Sequence, residues 1–206
     1  MITLYTYATP NGHKASILLE ELGLKYTVRT LDLAAGEQHR PEFLRINPLG
    51  KMPALVEELP GGTPRRLFGS GAIMLYYAER AGRLWPTDAA TKAEAMSWLM
   101  LSISDLGPTA GNLFRFTVRA PEKITYAIEL FGRELDRCHA ALDRRLGEAE
   151  YLAGPDYTIA DIASFPFVAA AVAAGRELFG RYPNLGRWHD RIAERPAVQR
   201  GMAVPH

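Results

Sequence analysis

Cysteine is almost missing from this chain. Its 206 residues hold one, Cys138, so it can form no internal disulfide, no Cys-x-x-Cys redox centre and no multi-cysteine zinc site. Long apolar runs are missing too. The longest candidate, Ile162–Gly175, has the length of one core helix and falls short of the ~18 residues that suggest a membrane span. The opening stretch MITLYTYATPNG lacks the basic start and apolar segment of a secretory signal. Charge of one sign is scarce: 24 Lys and Arg against 23 Asp and Glu leave +1, divided as +2 over residues 1–83 and −1 over 84–206. A nucleic-acid binder needs a basic stripe, and none is present. No phosphate-binding Gly-x-x-x-x-Gly-Lys-Ser/Thr, no Gly-x-Gly-x-x-Gly after a strand and no His-Glu-x-x-His occurs. The five histidines (13, 39, 139, 189, 206) fall in different elements, without metal-ligand spacing. These absences describe a cytoplasmic protein with no metal, no nucleic-acid partner and no membrane.

What is present changes character near residue 84. Ile2–Tyr7 alternates in the manner of a strand, and after the break Thr9-Pro10-Asn11-Gly12 the stretch Lys14–Leu22 takes helical spacing, stopped by Gly23. Tyr26–Leu31 reads as a strand, Pro41–Ile46 as a short helix, Met52–Val56 and Arg65–Phe68 as strands, and Ala72–Ala81 as a helix stopped by Gly82. The order βαβαββα defines an α/β domain at residues 1–83. Beyond it the strand signal vanishes. Helices are expected at Ala89–Leu106, with a kink or end at Gly107-Pro108, and at Ala120–Leu146, Thr158–Gly175, Pro183–Glu194 and Ala197–Ala203. Residues 89–206 are thus an all-helical domain.

Three segments carry chemistry, and each also has a plainer explanation. Ala8–Lys14 joins the first strand to the first helix. Its Thr9 and Asn11 could aim donors at an anion beyond the helix start, or simply cap that helix. Lys51-Met52-Pro53-Ala54-Leu55 opens a strand with a proline, for which sequence alone favours a trans bond. Gly69-Ser70-Gly71 ends a strand and begins a helix, offering a hydroxyl and backbone N–H groups to a carboxylate, or serving as a helix cap. All three are loop ends of one small α/β unit, where such folds place ligands. They describe a pocket for a small, anionic, peptide-like molecule.

Over essentially its whole length the chain resembles the cytosolic glutathione transferases. Residues 1–83 resemble their thioredoxin-like domain, and Lys51–Leu55 their cis-proline loop. Tyr157-Thr158-Ile159-Ala160-Asp161-Ile162-Ala163 resembles the helix-capping box of their second domain. Thr9–Lys14, Gly36–Gln38, Arg40–Leu44 and Leu106-Gly107-Pro108 are most similar to the bacterial Nu-class and disulfide-bond oxidoreductase group. The resemblance implies glutathione as cosubstrate, Thr9 and Asn11 beside its sulfur, and Gln38, Lys51, Met52, Pro53, Gly69 and Ser70 around the tripeptide. It implies a homodimer paired through the helices after residue 84. A small disulfide or electrophile would be the second substrate, its apolar part met by Leu113, Phe114 and Phe116. Cys138, on an apolar helix face, then needs no catalytic role, because the nucleophile arrives with glutathione.

Two positions depart from the pattern. Gly69 stands where the family usually has an acidic residue or Gln for the γ-glutamyl ammonium, and Leu130 where the subgroup often has arginine. Asp105 or Arg133 is the candidate to compensate, within the chain or across a dimer. These departures leave open a non-catalytic module that keeps the fold to bind a ligand or partner. A dehalogenase or isomerase using the same thiolate also fits.

Overall fold

The alternation of Ile2–Thr6 becomes strand β1, with Ile2, Leu4 and Thr6 buried and Thr3 and Tyr5 partly exposed. The computed structural model describes residues 1–175 and 177–205; His206, one of the five histidines, lies outside the described residues. Helix α1 (Pro10–Leu22) follows, then β2 (Tyr26–Thr30), a 3-10 turn at Glu37–His39, α2 (Pro41–Leu44), β3 (Ala54–Glu57), β4 (Arg65–Phe68) and α3 (Ser70–Ala81). Both long helices begin earlier than apolar periodicity suggests. Thr9 caps α1 ahead of Pro10, whose missing N–H costs nothing in a first turn, and Gly69 precedes α3. Gly23 and Gly82 end these helices in the left-handed conformation that glycine adopts without strain. The sheet runs β2-β1-β3-β4, with β1 parallel to β2 and the other pairs antiparallel.

The second unit contains α4 (Ala89–Leu101), α5 (Gly107–Phe114), α6 (Thr125–Glu148), α7 (Ile159–Ala174), α8 (Glu177–Arg181) and α9 (Pro183–Ala193). Gly107-Pro108 does not stop the chain's helical course. A π-helical turn at Ser102–Leu106 intervenes, in which the Gly107 amide reaches back to the Ser102 carbonyl. That wider turn lets Pro108 enter without the clash it would cause inside an α-helix. A second π turn, Arg115–Arg119, follows α5. The core is α7, whose residues Ile159–Val168 are all buried. Ser102 Oγ donates to the Ala163 carbonyl at 2.7 Å, and Gly107 lies where a Cβ would come within 3.1 Å of the Phe167 ring.

The compact units divide at different places from the expected 1–83 and 89–206. One comprises residues 1–85 with 193–206, the other 86–192. The last helix, α10 (Pro196–Met202), joins the first unit because Gly201 has no side chain: a Cβ there would sit 2.5 Å from Ile17 Cα. Ser16 Oγ donates to the Gly201 carbonyl at 2.6 Å, Arg195 pairs with Glu21 through two hydrogen bonds, and Arg200 reaches Glu20 at 2.7 Å. Among the described residues no helix is long and apolar enough to cross a membrane, and no group of three or more His, Cys, Asp or Glu could hold a metal ion.

Candidate functional site

Strand directions bring the expected residues to one end of the sheet. Thr6 is level with Thr30, Tyr5 with Ala54, and Ala54 with Phe68. The segments leaving β1, β2 and β4 therefore open at the same end as the segment entering β3. These segments carry Thr9 and Asn11, Gln38, Gly69 and Ser70, and Lys51 to Pro53.

Two contacts tie the rim together. Gly50, at φ +64°, is so close to the Gln38 carbonyl that a Cβ would lie 2.9 Å from it, which sets Gln38 beside the Lys51 segment. The Gly69 amide donates to the Pro53 carbonyl at 3.2 Å, joining the start of α3 to the Met52–Pro53 bond, which is cis. Buried Asn47 pins the same loop by donating to the Lys51 carbonyl at 2.5 Å and accepting from the Leu49 amide at 3.0 Å. Asn47 is absent from the sequence-derived site. Its signal was the turn Asn47-Pro48-Leu49-Gly50, a pattern in which asparagine bonds to the backbone two residues on.

Each rim residue has a distinct environment. Thr9 Oγ1 accepts from the Gly12 amide at 3.2 Å, so the capping role of Thr9 is real. Asn11 is exposed, and among the described residues its side chain has no partner. Gly12 is obligatory, since a Cβ would lie 2.2 Å from the Tyr7 carbonyl oxygen and 2.5 Å from Thr6 Oγ1. The Gln38 side-chain oxygen is buried with no hydrogen-bond partner. Lys51 is exposed and Met52 half-buried, while Pro53 is buried.

The start of α3 is the most open. Gly69, at φ +81°, offers no capping side chain, and among the described residues nothing accepts the amides of Ser70, Gly71 and Ala72. Together with the Ser70 hydroxyl they are donors at the positive end of a helix dipole, the arrangement that holds a carboxylate. One turn into α1, Lys14 is wholly buried, and burial lowers its pKa to about 7. Burial also lowers that of His13.

Within the helical unit, Cys138 is half-buried on α6. Burial pushes its thiol pKa up, with the charges of Asp105 and Glu134 adding to the shift. Such a thiol is the reverse of an activated nucleophile. Phe116 stacks flat on Phe131 with centroids 5.8 Å apart, Leu113 and Leu130 are half-buried, and Phe114 is exposed. Asp105 accepts from Ser104 Oγ at 2.6 Å, and Arg133 is exposed.

Residues 1–79 match the glutathione S-transferase N-terminal domain and residues 125–191 the glutathione S-transferase C-terminal domain. The disulfide-bond oxidoreductase YfcG of Escherichia coli is 43% identical over 98% of this chain and 94% of its own length. The disulfide-bond oxidoreductase YghU of the same species is 38% identical over 98% of this chain and 74% of its own. A glutathione transferase family member from Pseudomonas fluorescens, solved with two glutathione bound, superposes with a TM-score of 0.93 at 36% identity, covering 99% of this chain and 93% of that one. A glutathione transferase from Pseudomonas putida, with one glutathione disulfide per subunit, gives 0.92 at 35% identity over 100% and 92%. A glycine-bounded, donor-rich rim at one end of a four-stranded sheet, an α-helical second unit and matches along both make the assignment: the chain belongs to the glutathione S-transferase family.

Proposed function

We propose that the chain is a glutathione-dependent enzyme that reduces small disulfides or transfers the glutathione thiol to an electrophile. The observation that carries this reading is the uncapped start of α3, three free amides and the Ser70 hydroxyl beside the Pro53 loop. In this reading Ser70 and those amides take the γ-glutamyl carboxylate, and Gln38, Lys51, Met52 and Pro53 line the tripeptide. Thr9 and Asn11 stand by the sulfur. A donor near the sulfur favours thiolate over thiol, and the thiolate is the reactive form.

The thiolate attacks one sulfur of the substrate disulfide, the S–S bond breaks, and the leaving thiolate takes up a proton. A second glutathione thiolate then attacks the mixed disulfide, releasing the other substrate thiol and leaving glutathione disulfide. The relatives named disulfide-bond oxidoreductases, and those solved with two glutathione or with glutathione disulfide, support this stoichiometry. In the transfer mode the same thiolate attacks an electrophilic carbon. The reading includes a cytoplasmic homodimer, supported by the exposed apolar side chains Met96 and Met100, one turn apart on α4, and by exposed Phe68 on β4.

The test is calorimetric titration with glutathione, followed by turnover of hydroxyethyl disulfide and of an aromatic chloride. Saturable binding with disulfide turnover is expected. Binding without either turnover would make the chain a binding module, and no binding would overturn the reading altogether.

A further inference from the structure

On the sheet face that bears Tyr5, a cavity of about 480 Å3 opens between the edge strand β2 and the segment that includes α2. That volume suits a small molecule. Its apolar lining is Tyr5, Leu31, Phe43 and Ile46, and the Tyr5 and Phe43 rings meet at a tilt with centroids 5.6 Å apart. Tyr5 is level with Arg29 in the parallel pair, so the pleat sets both side chains on one face. The lining contains none of the residues assigned above to glutathione or to its sulfur.

Four charged side chains border this cavity, two of each sign. Arg40 and Glu37 satisfy one another at 2.9 Å, and Glu37 also accepts from the Asp32 amide at 2.9 Å. Arg29 and Glu42 are left over. Both are exposed, and among the described residues the Arg29 guanidinium and the Glu42 carboxylate enter no hydrogen bond or ion pair. One stands on β2 and the other on α2. The cavity therefore offers one spare cation, one spare anion and an aromatic surface, with no net charge.

We propose that this cavity binds a free α-amino acid with an apolar side chain. Its carboxylate pairs with Arg29, its ammonium with Glu42, and its side chain lies against Tyr5, Leu31 and Ile46. A simple anion would use Arg29 and leave Glu42 unpaired, and a simple cation would do the reverse. A zwitterion without an apolar body would leave the Tyr5 face in water. An apolar amino acid meets all three features. Each ion pair is exposed and worth little alone, so affinity depends on the three parts acting together. This recognition is separate from the thiol chemistry and does not depend on it.

Ligand-observed NMR titration with L-phenylalanine tests the proposal. Three relatives each lack one part: phenylpropionate the ammonium, phenethylamine the carboxylate, and glycine the side chain. Saturable binding of phenylalanine is expected, with glycine at least ~tenfold weaker. Arg29→Gln should weaken phenylalanine and phenylpropionate about fivefold and leave phenethylamine unchanged. Glu42→Gln should weaken phenylalanine and phenethylamine by the same factor and leave phenylpropionate unchanged. Both positions are on the surface, and an unchanged melting temperature checks that the fold is kept. Glutathione affinity should be equal in wild type and both variants, and glutathione filling its own site should not displace phenylalanine. The proposal is overturned if phenylalanine fails to bind, if either variant binds it as wild type does, or if glycine binds as tightly. Displacement by glutathione, or a parallel loss of glutathione affinity, would assign the cavity to the glutathione site and overturn it as well.

Discussion

Among the described residues two helices, α1 and α7, are capped by a threonine side chain, and they begin differently. At α7 the sequence Thr158-Ile159-Ala160-Asp161 forms a closed capping box. Thr158 Oγ1 accepts from the Ala160 amide, and Asp161 accepts from the Thr158 amide and hydroxyl, the Leu152 amide and Trp188 Nε1. At α1 the sequence Thr9-Pro10-Asn11-Gly12 has glycine where α7 has aspartate, and the crowding around Gly12 forbids any side chain there. The acid at the third position turns a helix start inward and spends its donors on the fold. Its absence leaves the positive end of the helix open to an anion from outside. At α3 the opening is wider still, since Gly69 contributes no cap.

That contrast can be broken at its closed end first. Asp161→Ala strands buried donors from Leu152, Thr158 and Trp188, each costing about 1–3 kcal/mol when left unpaired. Urea unfolding should show a loss of about 4 kcal/mol. A loss under 1 kcal/mol would mean the box is not what holds α7.

The same unit contains a buried group that is not wired in. His139 on α6 is buried, its Nε2 lacks a hydrogen-bond partner, and burial lowers its pKa to about 4, with Asp136 opposing the shift and Arg181 adding to it. The unfolded chain, with an ordinary imidazole, takes up the proton first as pH falls. The contribution is fully present above pH ~6.5 and is lost progressively down to pH ~4, by about 3 kcal/mol. His139→Leu should flatten that part of the stability profile, as read by urea midpoints across the range. An unchanged slope would refute it.

At the open end, replacing Thr9 and Asn11 together with alanine should lower kcat for disulfide reduction by roughly 10- to 1,000-fold, the scale for losing donors at a developing charge. Loss of the Thr9 cap should cost only about 1 kcal/mol of stability. Should kcat hold while stability falls, these residues are caps and nothing more. Ser70→Ala should weaken glutathione binding about tenfold by calorimetry, one hydrogen bond to a charged group; equal affinity would remove Ser70 from the site. Cys138→Ala should have the smallest effect, leaving turnover close to wild type. A folded but inactive variant would make the protein thiol the nucleophile.

The capping box and the glycine stops were legible because each is local: their partners lie within a few residues, and the residue types are the ones that geometry demands. The candidate residues are legible as loop ends, and strand pairing then explains why four separate loops face one way. Other features depend on distant partners. Asn47 makes its bonds through a loop carbonyl. Gly107-Pro108 reads as a kink or an end until the π turn is seen to make room. Gly201 carries no periodic signal for its packing on Ile17. Gly69 is half explained. Its φ of +81° suits glycine; a Cβ there would meet no atom within 4 Å, but a glutamate would bear backbone strain of about 1–3 kcal/mol. Nothing in the structure explains Leu130.

The clasp of α10 on α1 has a consequence in time. Ser16 and the Gly201 carbonyl it bonds are 185 positions apart in the chain. A ribosome adding ~5–20 residues per second needs roughly 10–40 s to travel from one to the other. During that interval the sheet and α3 can assemble, but the face of α1 around Ile17 has no lid. The nascent first unit therefore closes only when α10, made long after α1, swings back onto it.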